Sequence, residues 1–288
     1  MSRFVYVNGR YVRYAEAQVH AEDRGFQFGD AVYEVCEIRD GSIIDETRHM
    51  QRLERSLGEL SIDQPMSARA WHRVMRETAR RNNVRDGIVY LQVSRGAGPR
   101  NFLFSGVQTA PTAVCIARAV SPKSLIDAGE RGIAVITHPD IRWGRCDIKT
   151  VMLLPASLAK EKAKKTGAQE AWLTDADGMV TEGGSSNAWI ITGDGELITR
   201  PTDQAILRGV TRTTLIDLIG REGLQLVERA FSVEEAKLAR EAFVTSATNL
   251  VMPVVKIDDT LIGDGRPGPI ATRLRAGFHT VAEARTIQ

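Results

Sequence analysis

Hydrophobic positions change their period several times along this chain, and each change marks an element. Residues 4–7 and 11–14 flank Asn8-Gly9, a pair suited to the positive φ angles of a tight turn, so a hairpin is expected there. Residues 22–31, with two glycines and closely spaced aromatics, read as a loop feeding a strand. In that strand Val32, Glu34 and Cys36 alternate with Tyr33, Val35 and Glu37. Asp40-Gly41 turns the chain into a second short strand. From Thr47 the period becomes helical, with Met50, Leu53, Leu57 and Leu60 on one stripe and Arg52 off it. Ser67 is the expected N-cap of a second helix reaching Asn82. Residues 87–94 read as a buried strand, 95–102 as a glycine- and proline-rich loop, and 111–120 as a further strand.

Residues 121–132 are polar and helix-like, and the domain boundary is placed within them: 1–121 forms a smaller N-terminal α/β domain, 122–288 a larger C-terminal one. The second half opens with a strand at 132–137 and a helix from Pro155 that stops before Gly167. Strand pairs follow at 170–174 with 179–182 and at 187–192 with 196–199. A helix carries Leu215, Ile216, Leu218 and Ile219, and a capping box opens at Ser232. Residues 242–246 read as a strand, 254–261 as a hairpin, and the chain from Pro267 as a terminal helix. Hairpins mixed with helices, without a regular βαβ wind, predict an α+β fold.

Composition narrows the function classes. The 288 residues are 43% hydrophobic and 26% charged, as in ordinary globular proteins. Thirty-eight basic residues balance 36 acidic ones to a net charge of +2, with no basic block set apart, which argues against nucleic acid as a partner. The densest cluster, at 160–165, reads as a solvated helix face. Cys36, Cys115 and Cys146 are far apart, and no metal-ligand spacing occurs, so no metal site is expected. There is neither a signal-like N-terminus nor an apolar run of membrane-spanning length, and a reducing cytoplasm is the expected location.

Three stretches carry candidate chemistry. Lys149 enters the apolar run Val151-Met152-Leu153-Leu154. Either its stem is buried and its head snorkels to water, or desolvation frees its amine as a nucleophile. Residues 181–187, Thr-Glu-Gly-Gly-Ser-Ser-Asn, place one carboxylate, Glu182, before small residues that let a ligand approach the backbone; a plain polar loop has the same composition. Residues 207–211, Leu-Arg-Gly-Val-Thr, lead into a helix whose exposed amides suit a phosphate, or serve as an ordinary cap. No P-loop, dinucleotide fingerprint or nucleophile elbow is present. A lysine for the aldehyde, a carboxylate for the pyridine nitrogen and a phosphate cradle are what pyridoxal phosphate requires.

Several ordered motifs also carry a family resemblance. These are residues 23–35 (Asp-Arg-Gly-Phe-Gln-Phe-Gly-Asp-Ala-Val-Tyr-Glu-Val), 49–53, 90–96, 145–149 (Arg-Cys-Asp-Ile-Lys), 181–187 and 206–212. Over nearly its whole length the chain resembles the fold-type IV (class IV) pyridoxal-phosphate-dependent aminotransferases, and within them the bacterial D-amino acid aminotransferases. The resemblance implies a two-domain homodimer with pyridoxal 5′-phosphate as cofactor. Its implied activity is ping-pong transfer of an amino group from a D-amino acid to a 2-oxo acid, pyruvate or 2-oxoglutarate. It implies that Lys149 holds the cofactor as an imine and shuttles a proton, and that Glu182 binds the pyridine nitrogen. Arg52, Val210, Thr211 and Thr248 would contact the phosphate and Leu207 the ring. Tyr33 and Arg100 would bind the substrate carboxylate.

Two positions depart from the family pattern. Trp189 stands where Phe or Tyr is usual, a conservative exchange. Arg100-Asn101-Phe102 stands where the pattern is Arg-x-His, so an apolar ring replaces a donor to the carboxylate. Losing a charge-assisted hydrogen bond of about 1.5–3 kcal/mol keeps an (R)-selective amine transaminase open as an alternative, beside a branched-chain aminotransferase of the same fold. An aminodeoxychorismate lyase fits residues 32–35 less well. A binding protein that kept the scaffold without turnover is the alternative outside enzymes, and an intact Lys149 and Glu182 argue against it.

Overall fold

The computed structural model describes residues 4–104 and 109–287, which form two compact units. The first runs to Pro122 and takes in Ile148–Met152 and the tail from Glu283; the second spans Lys123–Asp147 and Leu153–Ala282. The division is thus discontinuous, where the sequence suggested a single cut between residues 121 and 122. Lys149, expected in the C-terminal domain, belongs to the first unit.

The first unit is built on a seven-stranded antiparallel sheet. Its strands are β1 (Phe4–Val7), β2 (Arg10–Arg13), β3 (Ala31–Arg39), β4 (Ser42–Ile44), β5 (Gly87–Ser94), β6 (Thr112–Ala119) and the C-terminal strand Ala284–Thr286. Their order is Ala284–Thr286, β4, β3, β5, β6, β1, β2. Asn8 and Gly9 both take positive φ, 43° and 88°, closing β1 onto β2 as expected. Alternation on β3 directs Val32, Glu34, Cys36 and Ile38 to the buried face and leaves Tyr33, Val35 and Glu37 half-buried on the other. Helices α2 (Glu46–Glu59) and α3 (Ala68–Arg81) supply Leu53, Leu57, Trp71, Val74 and Met75 to the same core. Ser67 caps α3 by accepting a hydrogen bond from the Ala70 amide at 3.3 Å.

Three features of this unit differ from the sequence expectation. Residues 24–28 form a short helix, α1 (Arg24–Phe28), because Asp23 caps its start through the Gly25 amide and Gly29, at φ 70°, ends it. The tail Ala284–Thr286 adds an edge strand, and Glu283 caps α2 by accepting from the Thr47 amide and hydroxyl at 2.9 and 2.8 Å. Finally, Ile148–Met152 lies along β3. The Tyr33 amide donates to the Lys149 carbonyl at 3.0 Å, the Val151 amide to Ala31 at 3.1 Å, and Thr150 bridges Val32. Ile148 joins the core. Backbone pairing, which has no side-chain signature, is what moves Lys149 into the first unit.

The second unit carries helices α4 (Pro122–Arg131), α5 (Leu154–Lys165), α6 (Val210–Arg221), α7 (Val233–Lys237) and α8 (Pro269–Gly277) on a nine-stranded mixed sheet. Its strands are β7 (Ile133–Pro139), β8 (Glu170–Thr174), β9 (Val180–Gly183), β10 (Asn187–Ile191), β11 (Leu197–Thr199), β12 (Leu226–Glu228), β13 (Glu241–Ser246), β14 (Leu250–Ile257) and β15 (Thr260–Leu261). The path is β12-β11-β10-β13-β14-β7-β8-β9, with β15 on β14. Pairs β12–β11, β14–β7 and β7–β8 are parallel and the rest antiparallel. Alanines 156, 159 and 163 let α5 lie close to β8. Trp189 stacks on Phe243 at 5.5 Å and donates its indole N–H to Thr245 at 3.0 Å, so the departure at this position is accommodated in the core. Mixed helix and sheet in layers is the α+β architecture read from the sequence.

Candidate active site

In the first unit, β3 and the segment beside it gather Lys149, Tyr33 and Arg52. The Lys149 Nζ lies 4.1 Å from the centroid of the Tyr33 ring. Among the described residues it has no hydrogen-bond or ion-pair partner, and the residue is half-buried. Tyr33 is stacked in turn on Tyr90 at 5.6 Å, which fixes the ring that supports the amine. The apolar run that suggested desolvation takes no part: Leu153 and Leu154 are exposed, the latter by 71%. Lys149 is instead held by backbone pairing to β3 and by an aromatic face, where an ammonium is attracted by the ring quadrupole.

Arg52 leaves the apolar stripe of α2, as its sequence position indicates, and its side chain is 11% exposed. Its Nε and Nη2 each donate at 2.7 Å to Glu34, whose second oxygen also accepts from His49 Nδ1 at 2.7 Å. Burial by itself would raise the Glu34 carboxyl, but Arg52 and His49 bring it down to about 2. Burial opposes the charge on Arg52, but the Glu34 carboxylate more than offsets it and raises the guanidinium pKa.

Arg100 sits apart from these groups on the exposed loop after β5. Its guanidinium lies 5.3 Å from the Phe28 centroid and 5.7 Å from that of Phe102. Phe102 meets Phe28 edge-on at 5.6 Å and is 77% exposed. The loop is anchored by Arg24, which is fully buried, bonds Asp30 at 2.8 Å and donates to the Asn101 carbonyl at 2.5 Å.

The second unit assembles a different set around Glu182, at the end of β9. One oxygen accepts from Arg142 Nη1 at 2.5 Å, the other from Asn187 Nδ2 at 2.9 Å, and the Leu207 amide donates to both at 3.2 Å. Asn187 also donates to the Leu207 carbonyl at 2.9 Å, tying the strand β10 to the approach to α6. Arg142 is itself gripped by Asp140, Nε to Oδ1 at 2.9 Å and Nη2 to Oδ2 at 2.7 Å. Burial would raise the Asp140 carboxyl, but the bonds and charge of Arg142 hold it below the usual carboxylate range. Desolvation would lower the Arg142 pKa; Asp140 and Glu182 raise it.

Helix α6 begins at Val210 behind Gly209, whose side does not cap it, and Val210 and Thr211 are buried. A Cβ on Gly209 would lie 2.1 Å from Asn187 Oδ1, so glycine is required for Asn187 to reach Glu182. Leu207 is half-buried beside this turn. Thr248 lies on the exposed turn between β13 and β14, its hydroxyl 3.3 Å from Ser246.

Each unit therefore gathers part of the expected site: Lys149, Tyr33 and Arg52 in the first, Glu182, Leu207, Val210 and Thr211 in the second. Glu34, His49, Asp140 and Arg142 were not assigned a role from sequence. Glu34 had a usable signal, a carboxylate in the inward phase of an otherwise apolar strand. Arg142 had none, since Glu182 is 40 residues away.

Residues 31–257 match the family model for class IV amino-transferases. A D-alanine aminotransferase of Staphylococcus haemolyticus is 40% identical over 282 residues, covering 98% of this chain and 99% of that protein. A D-alanine aminotransferase of Staphylococcus epidermidis is 38% identical over 283 residues, with the same coverage. Among solved structures, the branched-chain amino acid aminotransferase of Escherichia coli superposes with a TM-score of 0.89 at 24% identity, over 98% of this chain and 95% of that one. That likeness is one of fold.

Proposed function

Because this chain belongs to the class IV aminotransferases, we propose that it moves the amino group of a D-amino acid to a 2-oxo acid, pyruvate or 2-oxoglutarate, by a ping-pong route. The D-alanine aminotransferases that match it end to end support the D-specific reading. The amino-transfer step itself is supported by the Lys149 amine over Tyr33, which among the described residues has no hydrogen-bond or ion-pair partner.

Enzymes of this class work with pyridoxal 5′-phosphate, and the donor set present fits it. Lys149 offers an amine with no hydrogen-bond or ion-pair partner among the described residues, Glu182 an oriented acceptor, and the twelve-residue α6 an N-terminus with no side-chain cap. When bound, the cofactor supplies an electron sink for charge developing at the substrate Cα. The residues of this chain do the rest. Lys149 would hold the cofactor through its amine and would move the proton of the substrate Cα. Glu182, engaged by Arg142 and aimed by Asn187, would face the pyridine nitrogen and hold its proton. Leu207 would pack against the ring, and Arg52, the Val210 amide, Thr211 and Thr248 would hold the phosphate. Tyr33, and Arg100 from its exposed loop, would receive the substrate carboxylate.

A homodimer is part of the proposal. Phe102, Leu103 and Phe104 are consecutive exposed apolar residues close after Arg100, and Phe26 is exposed as well, surfaces of the kind a second copy covers. A cytoplasmic location accords with three free thiols.

The test is a half-reaction screen of the cofactor-loaded enzyme, following its visible absorbance band with D-alanine, D-glutamate, L-leucine and (R)-1-phenylethylamine. D-Alanine and D-glutamate bleach the band and L-leucine does not. Bleaching by L-leucine alone makes the enzyme a branched-chain aminotransferase, and bleaching by the amine alone an (R)-amine transaminase.

A further inference from the structure

The inward phase of β3 carries Val32, Cys36 and Ile38 into an apolar core, and it carries Glu34 with them, fully inaccessible to solvent. An apolar residue would ordinarily serve the fold as well or better there, since a buried ion pair recovers its desolvation only with complete hydrogen bonding. Here the bonding is complete enough to keep Glu34 charged: Arg52 engages both oxygens in a fork, and His49 donates to one of them. His49 and Arg52 stand three residues apart on α2, so both reach Glu34 from one helix face. His49 is buried too, and its Nδ1 must carry the proton, because an ionised carboxylate only accepts. A fork of this kind fixes the plane of a guanidinium in advance, sparing the side-chain entropy that a flexible arginine otherwise loses on binding an anion.

We propose that Glu34 and His49 are positioning residues that hold the Arg52 guanidinium in place for the cofactor phosphate. The proposal rests on the assignment of Arg52 to that phosphate. It separates the first unit's buried triad into one binding group and two groups that act only through it. The pyridine and aldehyde ends of the cofactor gain nothing from them.

Pyridoxal, which lacks the phosphate, isolates the effect. Cofactor-free protein prepared from the holoenzyme is titrated with pyridoxal 5′-phosphate and with pyridoxal, followed by visible absorbance, and the ratio of the two affinities is compared. Arg52→Ala lowers the ratio by about 100-fold, the loss of a charged anion contact. His49→Leu, which fills the space without the donor, lowers it about 10-fold. His49→Asn, whose Nδ2 takes the place of Nδ1, stays within about 3-fold of the parent. In an Arg52→Ala background His49→Leu has no further effect on the ratio. Glu34→Gln follows His49→Leu in direction, and His49→Phe, which also fills the space without a donor, replaces His49→Leu if that variant does not fold.

An unchanged ratio in His49→Leu, with the ratio lowered in Arg52→Ala, overturns the positioning role and leaves the triad a structural tie between α2 and β3. So does a loss in His49→Leu that persists without Arg52. If Arg52→Ala itself leaves the ratio unchanged, the phosphate assignment fails, and the positioning role falls with it.

Discussion

Replacing Arg142 by Met removes a cation shared by the buried Glu182 and the largely enclosed Asp140. Asp140 and Glu182 both close on this guanidinium at 2.5–2.9 Å, and all three side chains are nearly enclosed. Breaking a buried pair by deleting one partner costs about 3–5 kcal/mol. Part of that is offset, because Asp140 keeps the Thr181 hydroxyl at 2.9 Å and Glu182 keeps Asn187 and the Leu207 amide. A net loss of about 2–3 kcal/mol follows. For a protein of this size each kcal/mol shifts Tm by about 2–4 °C, so thermal unfolding of Arg142→Met occurs about 4–12 °C lower. Arg142→Lys recovers only part of this, since a single ammonium cannot make the bidentate contact to Asp140 and reach Glu182 as well. The pH dependence has a definite sign. A carboxyl held below its unfolded value contributes stability above that value, about 3.9 for aspartate, and loses it as pH falls through the lower folded value. The gap between parent and variant is therefore constant from pH 6 to 8 and narrows below about pH 4. Scanning calorimetry at several pH values measures both quantities. A Tm unchanged at neutral pH, or full recovery by lysine, would refute the shared-cation account.

Three further outcomes follow from the same geometry. Gly209→Ala forces a Cβ against Asn187 Oδ1, so it destabilises the protein by about 1–3 kcal/mol and weakens cofactor retention on dialysis; a variant that retains cofactor like the parent places Asn187 outside the Glu182 support. Phe102→His restores a donor beside Arg100 and tightens D-alanine about 10-fold in the half-reaction, whereas unchanged rates show that position 102 does not reach the carboxylate. Ser67→Ala removes the α3 cap, costing about 0.5–2 kcal/mol by urea denaturation while leaving turnover per folded molecule unchanged.

The legibility of this chain followed the strength of its local signals. The Asn8-Gly9 turn, the alternation of β3 and the stripes of α2 and α3 are each dictated within a few residues, and they are found where the pattern puts them. The edge strands Leu226–Glu228 and Ala284–Thr286 were missed because three half-exposed or exposed residues have no period to read, and long-range pairing alone makes them strands. At the site, the proposal of Lys149 and Glu182 rests on motif, and the surroundings of Lys149 differ from the apolar run expected. Val151 to Leu154 face largely outward, and a tyrosine 116 residues earlier supports the amine. The same limit hid Arg142, whose role is set by Glu182 across two strands of a mixed sheet. Residue types needed for chemistry can be read locally; the groups that aim and charge them are brought in by topology.

Attachment of the cofactor to Lys149 is the central claim, and borohydride reduction followed by peptide mass mapping addresses it directly. The cofactor-loaded enzyme, reduced and digested, carries the pyridoxyl phosphate mass on the peptide containing Lys149, and Lys149→Ala shows neither that adduct nor the visible band that precedes reduction. An adduct on any other lysine, or a visible band that persists and reduces normally in Lys149→Ala, contradicts the account.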